Sequence, residues 1–245
     1  MRTFIIGDIH GCSAALDAIL EKLAPDPKED RLILLGDLFD RGPDSWGVFQ
    51  RAKALAEEWG DRFVLLRGNH EDYLLADRLS WREKRIWDQV GRKTTVASFK
   101  AHGEAMEDTV PWLKSHCRLF YVEDSDGREV WQDPSFQCVH AGLHNGPVTA
   151  TDPHTMLHDH DITPRNHYQG PLTVVGHIAL ETAAWFAGDS ETRKPVGTGE
   201  WLPLPRRGAL CIDTGCGKGG TLTGMIIEGS RADGYRFRLE SVPEA

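Results

Sequence analysis

The chain has 245 residues, 40% of them hydrophobic and 27% charged, the balance of a soluble globular protein with a sizeable core. A formal net charge of -9 argues against non-specific binding to nucleic acid or an anionic membrane, yet leaves phosphate substrates open where bound cations dominate the local field. No stretch approaches the roughly 20 apolar residues of a membrane span. The five cysteines form no CxxC pair, and no basic, apolar leader is read before the first strand, so free thiols in the cytoplasm are expected.

Thr3–Ile6 is a β-branched and aromatic run that stops at Gly7, which predicts a strand. Ser13 is a candidate N-cap for a helix over Ala14–Leu23, closed by Pro25 and Pro27. Leu32–Leu35 predicts a second strand. Asp44 or Ser45 then caps a helix to about Trp59, with Gly60 as its stop. Phe63–Leu66 predicts a third strand, followed by a helix carrying Tyr73, Leu74 and Leu75. This βαβαβ rhythm implies a parallel sheet with right-handed crossovers. Ser80–His116 reads as a charged helical insertion with Trp81, Trp87 and Trp112.

From Arg118 the rhythm is all β. Leu119–Val122, Glu129–Trp131 after a turn near Asp126-Gly127, and Phe136–His140 read as antiparallel strands. Leu143–Pro171 reads as a loop in which Asp152-Pro153 starts one short helix, and Leu172–Val175 as a buried strand. Ala187–Arg207 reads as surface loop. Ala209–Ile212, Leu222–Ile227 and Tyr235–Val242 are expected to close a second sheet. With no repeat and no linker, one domain over 1–245 is expected.

Polar residues of one kind gather just past the apolar runs: Asp8 and His10 in GDIHG, Asp37, Asp40 and Arg41 in GDLFDRG, Arg67, Asn69 and His70 in RGNHE, His140 in VHAG and His177 in VGH. Alone, each Asp reads equally well as a turn former, and each late His as a satisfied core histidine. Repeated at five strand ends, they suggest a site of carboxylate, imidazole and amide donors, a set suited to manganese, iron or zinc. His154, His158, Asp159, His160 and His167 show metal-like spacing, but Pro164 breaks a continuous helix and a solvated loop is expected. Asp213 and Gly215, between Cys211 and Cys216, are expected in a turn, and Trp46, Trp81 and Trp87 in packing. Gly215–Gly220 precedes a strand rather than a helix, which argues against a dinucleotide fingerprint.

The order GDxHG, GDxxDRG, GNHE and two later histidines resembles the phosphoprotein-phosphatase-type, calcineurin-like metallophosphoesterases, in particular the bacterial and phage serine/threonine phosphatases, over roughly Thr3 to Ile227. The resemblance implies an α/β fold, a four-layer α/β/β/α sandwich of two mixed sheets, with a small helical cap at about 80–117. It implies two divalent metal ions, manganese foremost with iron or zinc as alternatives. Asp8, His10 and Asp37 would bind the first, and Asp37, Asn69, His140 and His177 the second. It further implies in-line attack on phosphorus by a shared hydroxide, His70 as general acid oriented by Asp40, and phosphate clamps at Arg41, Arg67 and Arg165. The implied activity is phosphomonoester hydrolysis on a phosphorylated protein or small phosphate ester. Symmetrical diadenosine tetraphosphate hydrolysis is the alternative, and a non-catalytic metal-binding module the second alternative.

Overall fold

Three short apolar runs, Thr3–Ile6 (β1), Arg31–Leu34 (β2) and Phe63–Leu66 (β3), pair in parallel, with Ile5 beside Ile33 and Ile33 beside Val64. Two crossover helices join them, α1 (Ser13–Leu23) and α2 (Ser45–Trp59). Asp44 caps α2 by accepting from Gly47 N at 2.9 Å. Ser13 is the first residue of α1 rather than its cap, and its hydroxyl donates to Asp44 at 2.5 Å, so one carboxylate serves both helix starts. The computed structural model describes residues 1–123, 134–160, 168–188, 193–230 and 232–244. The predicted turn at Asp126-Gly127, the strand Glu129–Trp131, Arg165 and His167 lie outside them.

After β3 come α3 (Asn69–Leu75), α4 (Trp81–Gln89), α5 (Arg92–Ala101) and α6 (Val110–His116). The strands that follow are β4 (Cys117–Arg118), β5 (Phe120–Glu123) and β6 (Phe136–Val139), then α7 (Pro153–His158) and β7 (Thr173–Val175). The chain closes with β8 (Ala184–Phe186), β9 (Arg193–Pro195), β10 (Leu202–Pro203), β11 (Ala209–Cys211), β12 (Thr221–Ser230) and β13 (Gly234–Pro243). They make two mixed sheets, ordered β10-β13-β12-β1-β2-β3-β4 and β5-β6-β7-β11-β8-β9.

The period-2 alternation of strand side chains builds the layers. Phe4, Ile6, Leu32 and Leu34 face α1 and α2, packing against Leu16, Ile19 and Val48. Ile5, Ile33 and Val64 face the second sheet and meet Cys138, Val174 and Leu210. On that sheet's far side Val139, Val175 and Cys211 pack with Met156 of α7 and with Leu143 and Val148. The result is the four-layer α/β/β/α sandwich, each fully buried aliphatic side chain contributing about 1.5–3 kcal/mol.

Two expectations change. Residues 221–243 do not extend the second sheet: β12 lies antiparallel beside β1, with Phe4 opposite Ile226, and β13 follows it as a hairpin. β12 covers the free edge of β1, and apolar patterning alone does not say which sheet a hairpin joins. The 187–207 segment carries β9 and β10 as short edge strands rather than loop alone. Along the helix layer α5 packs on α2, where Phe99 meets Phe49 at 6.1 Å between ring centroids.

Candidate metal centre

β1, β2 and β3 are parallel in one sheet, and β6, β7 and β11 in the other, so six carboxyl ends carry polar residues. Open α/β sheets gather ligands at such ends. The loops after β2 and β3 touch backbone to backbone: Gly36 has φ +98, and a Cβ on Gly68 would collide with the Asp37 carboxylate. His10, Asp37, Asp40, Arg41 and His177 are five of the six non-glycine residues with positive φ among the described residues. Each such conformer costs on the order of 1 kcal/mol, so backbone strain concentrates at these turns.

The structure brings Asp8, His10, Asp37, Asp40, Arg41, Asn69, His70, His140 and His177 together. Asp37 is central: its Oδ2 lies 3.4 Å from His10 Nε2 and 3.9 Å from His70 Nε2, and its Oδ1 lies 3.5 Å from His140 Nε2. Asn69 Oδ1 sits 3.0 Å from His140 Nε2 and 2.9 Å from His177 Nδ1. Asp8 Oδ2 accepts from His177 N at 2.9 Å and lies 3.9 Å from His10 Nε2. Ligating atoms of His10, Asp37 and His70, and of Asp37, His140 and His177, lie within 4.8 Å of one another.

The orientation of the rings argues for a cation. His10 Nδ1 donates to Phe39 O at 2.9 Å and His140 Nδ1 to Leu35 O at 2.9 Å, a tautomer assigned from those carbonyls. The His140 Nε2 lone pair then points at Asn69 Oδ1 and Asp37 Oδ1, acceptor against acceptor, while His10 Nε2 faces Asp37 Oδ2 and accepts from Arg41. Asp8 Oδ1 and His177 Nε2 are buried with no hydrogen-bond partner. Such a set of oxygen and nitrogen donors without sulfur fits hard or borderline divalent ions. Burial pushes the Asp8 carboxyl well up, helped by Asp213 and Asp37. Burial also works to raise Asp37, but the surrounding His140, His70 and His10 outweigh it and hold Asp37 below the usual carboxylate range. His177 is lowered to about 2 by burial and by His140.

A second group stands beside the first. His70 Nδ1 donates to Asp40 Oδ2 at 2.6 Å, with both side chains almost fully buried. Asp40 also accepts from Trp87 Nε1 at 2.6 Å and from Thr95 Oγ1 at 2.5 Å. Burial opposes a charge on His70, but Asp37 and Asp40 prevail and its pKa stands above the ordinary value. Arg41 lies over the centre, with Nη1 donating to His10 Nε2 and Nη2 3.3 Å from His70 Nε2. Arg67 instead pairs with Asp72, Nε to Oδ1 at 3.2 Å.

Three partners escaped the sequence reading. Glu71 is fully buried and accepts from Asp37 N at 2.7 Å, Leu38 N at 2.8 Å and Gly68 N at 2.9 Å, joining the β2 and β3 loops. Burial and Asp37 raise its pKa to about 7. A charged residue inside a Gly-flanked turn, followed by an apolar helix, was the available signal. Trp87 and Thr95 gave none, since their contact with Asp40 spans 47 and 55 residues. The short helix expected at Asp152-Pro153 forms as α7, but the histidines around it are not simply solvated: His158 Nε2 reaches Asp72 at 3.2 Å, and the His160 ring lies 4.6 Å from that of His177. Asp213 takes the expected turn, accepting from Gly215 N at 2.9 Å.

The model of the calcineurin-like phosphoesterases matches residues 1–208. The chain belongs to that family. It is a hydrolase of phosphate esters, and its centre is of the divalent-metal type. This calcineurin-like phosphoesterase is 46% identical to a symmetrical bis(5'-nucleosyl)-tetraphosphatase of Klebsiella pneumoniae, over 91% of this chain and 90% of that protein. It is 37% identical to serine/threonine-protein phosphatase 1 of Salmonella typhimurium, over 48% of this chain and 54% of that one. The fold matches a metallophosphoesterase from Sphaerobacter thermophilus at a TM-score of 0.65, with 19% identity, covering 100% of this chain and 90% of the other. No helix among the described residues is long and apolar enough to cross a membrane.

Proposed function

We propose that this phosphoesterase holds two divalent cations between its strand ends and cleaves dinucleoside tetraphosphates symmetrically. The observation that carries the substrate is similarity along nearly the whole chain to the tetraphosphatase; likeness to the protein phosphatase covers about half. That reverses the order of preference that the sequence motifs alone suggest.

Asp8, His10 and Asp37 would hold one cation, and Asp37, Asn69, His140 and His177 the other. Divalent cations at such a pair of sites lower the pKa of coordinated water and draw charge from phosphate oxygens. The chain's own residues supply the rest. Arg41 offers a planar fork of donors to the phosphate. Arg67 can add a second by exchanging Asp72 for substrate. His70 presents Nε2 to the centre while Asp40 holds Nδ1, so the ring can pass a proton from Nε2 to a leaving oxygen.

That dyad favours a second reading, hydrolysis of phosphoserine or phosphothreonine in proteins. A nucleoside diphosphate departs as a stable anion without needing a proton, whereas a serine alkoxide does need one. The test is a panel with manganese: a dinucleoside tetraphosphate, a phosphopeptide and an aryl phosphate. The first reading expects fast release of nucleoside diphosphate alone from the dinucleotide. Turnover of the phosphopeptide with none of the dinucleotide overturns it in favour of the second. Inertness towards all three, with metals bound, would leave only a binding module. His70→Ala is expected to slow the phosphopeptide about 10²–10⁴-fold and the dinucleotide far less.

A further inference from the structure

A second cluster of ligating groups lies outside the centre. Cys12 ends the loop that carries His10 and directly precedes α1. Cys216 follows Gly215 in the tight turn between β11 and β12, and Glu244 follows β13 at the end of the chain. Positions far apart in sequence thus converge: one ligand atom from each of Cys12, Cys216 and Glu244 lies within 4.8 Å of the others. Cys12 is 5% and Cys216 1% exposed. All five cysteines are free thiols.

The carboxylate supplies an independent sign. Glu244 Oε1 accepts from Gly219 N at 2.8 Å, which fixes the head group under the turn. Its other oxygen, Oε2, is buried and has no hydrogen-bond partner. An anionic oxygen shut away from water without a donor costs several kcal/mol unless a positive charge neutralises it. A zinc ion binds sulfur at about 2.3 Å and carboxylate oxygen at about 2.0–2.2 Å, so its ligands stand about 3.5–3.8 Å apart around a tetrahedron. Small side-chain adjustments within the observed spacing reach that geometry.

We infer that Cys12, Cys216 and Glu244 form a third cation site, one that takes a thiophilic divalent ion of the zinc class. Two sulfurs with one carboxylate distinguish it from the nitrogen and oxygen centre, which suits harder ions. Binding is ligand exchange without redox: each thiol releases its proton as sulfur bonds the ion. Glu244 is part-exposed, which gives the ion a path from solvent and leaves room for a water as fourth ligand. The role is structural. The Cys216 turn presses on the catalytic loop, where a Cβ on Gly217 would stand 2.7 Å from His10 Cβ. A cation here would tie the last strand to the backbone that aims His10.

The test uses the full chain, reduced and freed of metal with a chelator, then titrated anaerobically with cobalt(II). Thiolate-to-cobalt charge transfer absorbs in the near ultraviolet, and a nitrogen and oxygen centre gives none. We expect that band to reach the intensity of one thiolate site within about three equivalents of cobalt and to bleach on addition of zinc. It should fall to half or less in Cys216→Ser, and Glu244→Gln should weaken cobalt binding at this site about 10-fold or more. Glu244→Gln, at a part-exposed position, carries the test should Cys216→Ser fail to fold. Absence of the band in the wild-type chain, or an unchanged titration in Glu244→Gln, overturns the proposal. The readout is independent of which phosphate ester is cleaved.

Discussion

Replacing Glu71 by Gln tests whether the centre is assembled from the backbone outward. The carboxylate gathers three N–H groups from two loops, at 2.7, 2.8 and 2.9 Å, with none of its surface exposed. It also holds Asp37 at φ 50, a conformation that costs on the order of 1 kcal/mol on its own. An amide has one acceptor oxygen. With that oxygen in the place of Oε2 it keeps Asp37 N and Gly68 N, but turns an NH₂ towards Leu38 N. One charge-assisted bond is lost, about 1.5–3 kcal/mol, and the other two weaken to neutral bonds. Relief of the repulsion between Glu71 and Asp37 returns part of this. The expected net loss is about 2–4 kcal/mol in urea unfolding of the metal-free protein at about pH 8.5, where Glu71 with its pKa raised to about 7 is ionised, with weaker manganese retention on dialysis. A loss below about 0.5 kcal/mol with retention unchanged would show that the loops hold themselves and refute the reasoning.

Asp40→Asn is expected to reduce kcat on a phosphopeptide by about 10²–10⁴-fold and on a dinucleoside tetraphosphate by much less, at unchanged metal content; equal losses on both would remove the proton-donor role. Asp37→Ala should take bound manganese from about two equivalents to near none by elemental analysis, and a variant retaining both ions would place the bridge elsewhere. Asp30 is buried yet held below the usual carboxylate range because Arg2 and Asp26 N–H outweigh burial. Its contribution is therefore full above about pH 4 and lost as pH falls through the lower folded-state value. Asp30→Asn should cost about 1 kcal/mol at neutral pH, a value kept small by the 40% exposure of the Arg2 side chain, and the two proteins should converge in acid; stability curves parallel from pH 7 to pH 2 would contradict this.

The first half of the fold was legible because each crossover carries its own punctuation. Gly7, Gly36 and Gly60 stop their elements, and Asp44 starts α2 where the sequence puts it. The polar cluster around Asp37 was legible because each member follows an apolar run closely. Sheet membership was less so: β12 reads as a buried strand anywhere, and only pairing with β1 settles its place. Long-range polar partners were beyond reach for the same reason. Nothing near Trp87 or Thr95 in sequence says that both point at Asp40, and His158 of α7 reaches Asp72 only through packing.

On the proposed role of His70 as proton donor, the grip of Trp87 and Thr95 on Asp40 would give the helices between β3 and β4 a hand in proton delivery as well as in shape. Exchanging that segment between relatives to alter the substrate range would therefore transplant acid strength along with the contour of the cleft. Trimming it would leave a bare carboxylate facing solvent in place of a braced one. On that reading, selectivity and leaving-group chemistry would be inherited as one unit.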